Sequence, residues 1–125
     1  MFEPLRAVPT IAVSDIERAK KFYSETLGLK AKDERVDGIR YEAGGGTLLL
    51  VYTSQFAGTA KSTSMGFDVD DLDKAVAELR ERGVVFEEYD LPGLKTMNGI
   101  AEIEGLKGAW FKDPDGNILS IGQEI

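Results

Sequence analysis

The chain contains no histidine and no cysteine in its 125 residues. Without histidine it lacks the commonest metal ligand and the usual acid/base group near neutral pH. Ser-His-Asp and Cys-His nucleophilic schemes are excluded together. Without cysteine, disulfides and thiolate chemistry are excluded as well. Any catalysis falls to carboxylates, lysine or tyrosine. Long apolar runs are missing too: the longest, Leu48–Tyr52, is far too short to span a bilayer, so no membrane partner is expected. Met1-Phe2-Glu3-Pro4 opens with an acid and a proline, unlike a secretory signal, and cytoplasmic residence is the default expectation.

Positive charge is also scarce. Fifteen Lys and Arg stand against 22 Asp and Glu, a net charge of −7. The cations are interspersed with acids, as in Glu17-Arg18-Ala19-Lys20-Lys21, so no phosphate-neutralising run is present and no nucleic acid partner is expected. The acidic surplus reads either as a solvated surface or as a mild preference for cationic ligands.

What is present is an ordinary globular balance, 42% hydrophobic and 30% charged, in a chain of one-domain size (1–125). It also repeats itself. Val13-Ser14-Asp15-Ile16-Glu17-Arg18-Ala19-Lys20 matches Val69-Asp70-Asp71-Leu72-Asp73-Lys74-Ala75-Val76 at a constant offset of 56. The first helix is expected to begin at Ser14, with Glu17 at capping-box spacing, and to stop at Gly28. Its apolar stripe is Ile16, Ala19, Phe22, Tyr23 and Leu27. The second is expected to start at Asp70, show Leu72, Ala75, Val76 and Leu79, and stop at Gly83.

Each helix is followed by strands and turns. Val36-Asp37-Gly38-Ile39 reads as a tight hairpin around Asp-Gly. Gly44-Gly45-Gly46 leads into a strand over Thr47–Thr53, and Asp113-Pro114-Asp115-Gly116 into one over Asn117–Gly122. Aligning Gly46 with Gly116 gives an offset of 70, so the second half is longer by 14 residues. These fall around Tyr89–Gly99, which reads as a connecting loop or as a flap over a cleft. Ser54–Thr63 reads as a linker. The expected fold is α+β: two βαβββ modules, about 5–53 and 63–123, forming cupped mixed sheets.

Period-two alternation assigns the strand faces. Ile11, Val13, Met65, Phe67, Val69, Leu119 and Ile121 belong under the helices. The second face then carries Val8, Thr10, Ala12, Leu48, Leu50, Tyr52, Ser64, Gly66, Asp68, Ile118, Ser120 and Gly122. A mixture of small, apolar and weakly polar groups suits a mostly apolar pocket with a few polar anchors, or a face packed against another sheet.

The run Ile11 to Ala19 with Phe22-Tyr23 and Leu27-Gly28-Leu29, then Gly66-Phe67-Asp68-Val69-Asp70-Asp71-Leu72 and Phe111-Lys112-Asp113-Pro114-Asp115-Gly116-Asn117, resembles the vicinal oxygen chelate superfamily. That superfamily holds glyoxalase I, extradiol dioxygenases, fosfomycin-resistance enzymes and bleomycin-binding proteins. The resemblance covers nearly the whole chain. It implies metal ligands on the first and last strands of each module, at Val8, Leu50, Ser64 and Ser120 here. None of these is a competent ligand for Zn²⁺, Ni²⁺, Mn²⁺ or Fe²⁺, so no metal and no cofactor are expected and the chain reads as a metal-site-degenerate member. Standard glyoxalase or dioxygenase activity, which needs the Lewis acid, is not expected.

Three readings follow. One is a metal-independent binding protein that sequesters an antibiotic or metabolite, a small organic ligand of cationic or aromatic character. Its pocket residues are Val8, Thr10, Leu48, Leu50, Tyr52, Ser64, Asp68, Trp110 and Ser120. Asp68 serves there as the acidic anchor, and Tyr52 and Trp110 stack on planar groups. The alternative is a metal-free enzyme of isomerase or lyase type using Glu102, Glu104 or Lys95. The third is an interaction module. The resemblance also implies a homodimer.

Overall fold

The computed structural model describes all residues from Met1 to Ile125. The chain divides into two compact units, Met1–Ala57 and Gly58–Ile125. Unit 1 runs β1 (Thr10–Val13), α1 (Ile16–Lys20) with a wider helical turn over Lys21–Thr26, β2 (Lys30–Arg35), β3 (Gly38–Glu42) and β4 (Leu48–Thr53). Unit 2 runs β5 (Thr63–Asp68), α2 (Leu72–Glu81), a small hairpin β6 (Asp90–Leu91) and β7 (Leu94–Lys95), then β8 (Ala101–Ile103), β9 (Leu106–Lys112) and β10 (Ile118–Glu124). Each unit holds one four-stranded mixed sheet, ordered β1-β4-β3-β2 and β5-β10-β9-β8. In each the first and last strands pair in parallel and the other pairs are antiparallel. The architecture is α+β, and no helix is long and apolar enough to cross a membrane.

The internal repeat reappears in the ladders. Thr10 stands opposite Leu50 in the first sheet, and Gly66 opposite Ser120 in the second. Arg40 faces Leu50 across the antiparallel pair just as Trp110 faces Ser120. The offsets of 56 for the first strand and 70 for the last strands are therefore the spacing of equivalent sheet positions.

The alternation places the cores. Ile11, Val13, Ile39, Tyr41, Leu49 and Val51 are buried in unit 1 with Ala19 and Tyr23 of the helical segment. Met65, Ala109, Phe111, Leu119 and Ile121 are buried in unit 2, where Leu72 and Val76 belong to α2, which packs on β9 and β10. Each fully buried large side chain contributes about 1.5–3 kcal/mol relative to exposure.

Local boundaries differ from expectation by a residue or two at several places. The helix caps are Asp15 and Asp71, one residue beyond Ser14 and Asp70. The Asp15 carboxylate accepts from the N–H groups of Glu17 and Arg18, and that of Asp71 from Lys74. Ser14 Oγ instead accepts from the Arg18 guanidinium at 3.1 Å. In the β2–β3 hairpin Arg35 pairs with Gly38, so the two turn residues are Val36 and Asp37 rather than Asp37 and Gly38. Gly38 opens β3 at φ 140, where a Cβ would collide with the Val51 carbonyl oxygen, so only glycine fits. Thr47 lies in the turn before β4, and Asn117 in the turn before β10 rather than in the strand.

Candidate functional site

The outward face of the second sheet can be read row by row. One row runs Gly66, Ser120, Trp110; the next Asp68, Gly122, Gly108, Ala101; the third Glu124, Leu106, Ile103. The middle row places two glycines side by side on the two central strands. Their missing side chains leave a trough, walled by Trp110 and Ser120 above and by Leu106 and Ile103 below. A pocket of about 390 Å³ occupies this trough and is lined by all of these residues except Gly66.

The neighbours of the trough hold its walls. The Trp110 indole lies over Gly108, where an added Cβ would stand 3.1 Å from Cη2. Tyr89, just before the β6–β7 hairpin, meets the indole edge to face with centroids 5.7 Å apart. Burial, together with the charge of Glu87, pushes the Tyr89 phenol above its ordinary value, so it stays neutral. Gly66 makes room for Ser120, because a Cβ there would stand 2.6 Å from the serine Oγ.

Two acidic side chains and one basic one line the pocket: Asp68, Glu124 and Lys107. Lys107 is engaged elsewhere, with its Nζ 3.1 Å from Asp73 Oδ2 on α2. That carboxylate holds the ammonium above its ordinary value. No ion pair joins Asp68 or Glu124. The two carboxylates reach the rim uncompensated, and a shallow extension of about 310 Å³ beside them adds Asp70. Asp68 and Gly108 lie two strand spacings apart, about 10 Å along the row. The site thus has an aromatic end and an acidic end.

Of the nine residues expected at a site, the structure brings Asp68, Trp110 and Ser120 together in this pocket. Ser64 lies on β5 where the register slips between Ile118 and Leu119, which leaves it without a partner, and it does not line the pocket. Thr10, Leu50 and Tyr52 lie on the corresponding face of unit 1, and Val8 precedes β1, exposed. Leu48 is buried and lines a different groove, in unit 1. By the repeat, Tyr52 stands where unit 2 has Gly122, and Arg40 where it has Trp110. Arg40 is held by Asp33, Nε to Oδ1 2.8 Å, and Tyr52 puts a side chain where unit 2 has the glycine floor.

Sequence reasoning missed Gly108, Leu106, Ile103, Ala101 and Glu124. Glycine inside a strand is the signal that could have found the floor, since it marks a close approach of something to the backbone. Glu102, Glu104 and Lys95 are exposed and none lines the pocket. The hairpin that fills the Tyr89–Gly99 stretch contributes no residue to the lining either.

The positions that the resemblance gives to a metal carry a valine, a leucine and two serines. No group of three or more His, Cys, Asp or Glu side chains is arranged to hold an ion. This donor set does not fit a divalent transition metal.

The profile of the Glyoxalase/Bleomycin resistance protein/Dioxygenase superfamily matches residues 6–121. The chain belongs to this superfamily. No curated protein matches it in sequence. Among solved structures it is similar to TnmS3, an antibiotic binding protein from Streptomyces sp. CB03234, at 26% identity and TM-score 0.66, covering 99% of this chain and 100% of that one. A glyoxalase/bleomycin resistance protein from the same organism is 30% identical, with TM-score 0.62 and coverage of 91% and 96%. A putative glyoxalase family protein from Bacillus anthracis shares the fold at 18% identity, TM-score 0.72 and full coverage of both chains. The superfamily's Asp-Pro-Asp-Gly-Asn segment, Asp113 to Asn117, is a structural turn here and stands outside the pocket.

Proposed function

We propose that this superfamily member is a metal-independent binding protein that sequesters a small planar organic cation, an antibiotic or a metabolite, in the trough of unit 2. The carrying observation is the pairing of the Trp110 wall with the unpaired Asp68 and Glu124 across a floor of Gly108 and Gly122. Aromatic faces attract planar and cationic groups, and carboxylates left unpaired on an apolar pocket favour a positive partner. The similarity to an antibiotic binding protein supports the same reading. No cofactor and no metal take part. In this proposal the whole chain acts as one domain in the cytoplasm, away from nucleic acid, in keeping with its net charge of −7.

A thermal-shift series tests the ligand class. The planar cation proflavine is expected to stabilise the protein, and neutral anthraquinone and anionic anthraquinone sulfonate to do so less or not at all. Saturation at 100 times the dissociation constant corresponds to about 2.7 kcal/mol. Asp68→Asn is expected to weaken proflavine about fivefold, the scale of one rim charge of roughly 1 kcal/mol. Equal shifts from all three compounds, or an unchanged affinity in Asp68→Asn, would remove the acidic anchor from the proposal. Chemical conversion of the bound compound, seen by mass spectrometry, would favour the metal-free enzyme, with Asp68 and Glu124 as the carboxylates at hand.

The proposed assembly is a homodimer, by analogy with the superfamily alone. Light scattering is expected to give twice the 13.7 kDa chain mass. A monomer mass at all concentrations tested would overturn that part.

A further inference from the structure

We propose that unit 1 carries a second ligand site, a groove that takes a small phosphorylated organic anion. The groove has a volume of about 670 Å³. It is lined by Arg6 from the segment before β1, Lys30 and Lys32 of β2, Glu42 at the end of β3, and Gly44 and Gly46 of the following turn. Three cations against one carboxylate give this lining a positive balance in a chain whose net charge is −7.

The pairing pattern makes the contrast sharper. Lys20, Arg35, Arg40, Lys107 and Lys112 each hold a carboxylate within ion-pair distance. Arg6, Lys30 and Lys32 hold none, although acids outnumber cations along the whole chain. Unpaired like charges gathered on one concave surface focus a positive potential there. The gathering depends on the fold. The register of β2 on β3 slips between Ala31 and Asp33, so Lys32 bulges out of the ladder, and it lines the groove together with Lys30. Arg6 arrives from a distant stretch of sequence.

The backbone contributes as well. Gly44, Gly45 and Gly46 all have positive φ, at 86, 58 and 76, and nothing lies within 4 Å of where their Cβ atoms would be. Their N–H groups donate to no backbone carbonyl. Gly44 and Gly46 line the groove, so amides with no backbone acceptor stand beside its cations. A phosphate ester carries a charge of about −2 and several strong acceptor oxygens, which suits this lining. Leu29 and Leu48 add apolar surface, and the volume exceeds what bare phosphate needs.

Calorimetric titration and amide NMR on the full chain, with inorganic pyrophosphate and ADP as probes, test the site. Both probes are expected to bind, to shift the amides of Lys30, Lys32 and Gly44–Gly46, and to weaken with added salt. The double variant Lys30→Ala/Lys32→Ala is expected to bind at least tenfold more weakly. Lys61→Ala/Lys95→Ala, which removes the same charge elsewhere, is expected to leave affinity unchanged. Lys32→Gln, at an exposed position, repeats the test should the double variant lose its fold. Equal weakening by both double variants, amide shifts scattered over the surface, or no binding of either probe would overturn the proposal. Because proflavine binding is read in unit 2, the two ligand assignments stand or fall separately.

Discussion

Replacing Gly122 by valine is expected to cut proflavine affinity at least 30-fold, about 2 kcal/mol, while leaving the protein folded. The position lies at the centre of the trough, between Asp68 and Gly108 in the same row. An added Cβ would meet only the Lys107 carbonyl oxygen, at 3.7 Å, which is ordinary contact. The branched side chain therefore occupies ligand space rather than colliding with the protein. Valine also favours extended backbone over glycine, so the melting temperature is expected to hold or rise. Calorimetry for binding and circular dichroism for stability separate the two effects. Trp110→Ala offers a complementary loss, since it removes the wall and leaves the floor. An unchanged affinity in Gly122→Val would place the ligand somewhere other than this face.

The second large effect concerns the turn before β10. Asp113→Ala is expected to lower stability by about 3 kcal/mol, a fall in melting temperature of roughly 10 °C. The buried Asp113 carboxylate accepts from the Asp115 N–H at 3.0 Å, the Asn117 N–H at 2.9 Å and Asn117 Nδ2 at 2.8 Å. Asn117 Oδ1 in turn accepts from the Gly58 N–H at 3.1 Å, which ties the start of unit 2 to the same turn. Truncation leaves these donors without their acceptor and loosens the hold on Gly58. Asp113→Asn keeps one acceptor oxygen and is expected to lose about half as much. Urea denaturation measures both; a loss under 1 kcal/mol for the alanine variant would show that the network is replaceable.

The same turn illustrates which signals a sequence carries well. The duplicated Val-x-Asp pattern, the terminal glycines and the Asp-Pro-Asp-Gly motif are local, and each resolves to an element near where it was expected. Errors of one residue arose where two neighbouring groups compete for one role. Ser14 and Asp15 both offer a capping oxygen, and so do Asp70 and Asp71; the extended backbone of Asp15, φ −134 and ψ 107, decides for the second. Val36-Asp37-Gly38 likewise contains one residue too many for a two-residue turn.

The site was harder to read because it depends on register between strands far apart in sequence. Alternation sorted Asp68, Ser120 and Gly122 onto one face, but it could not tell that Gly108 lands beside Gly122. The offset of 70 does match Tyr52 to Gly122, whereas the place of Arg40, where the other half has Trp110, is seen only in the ladder. The basic groove shows the same dependence more strongly, since its cations come from separate stretches and one of them from a bulge.

Trp110 is the only indole in the chain, and it stands at the wall of the trough with the Tyr89 ring against it. Emission excited in the indole band therefore originates at a single place. Its intensity and colour register the polarity of that one compartment, so the protein arrives with an optical gauge of occupancy already installed and needs no attached dye.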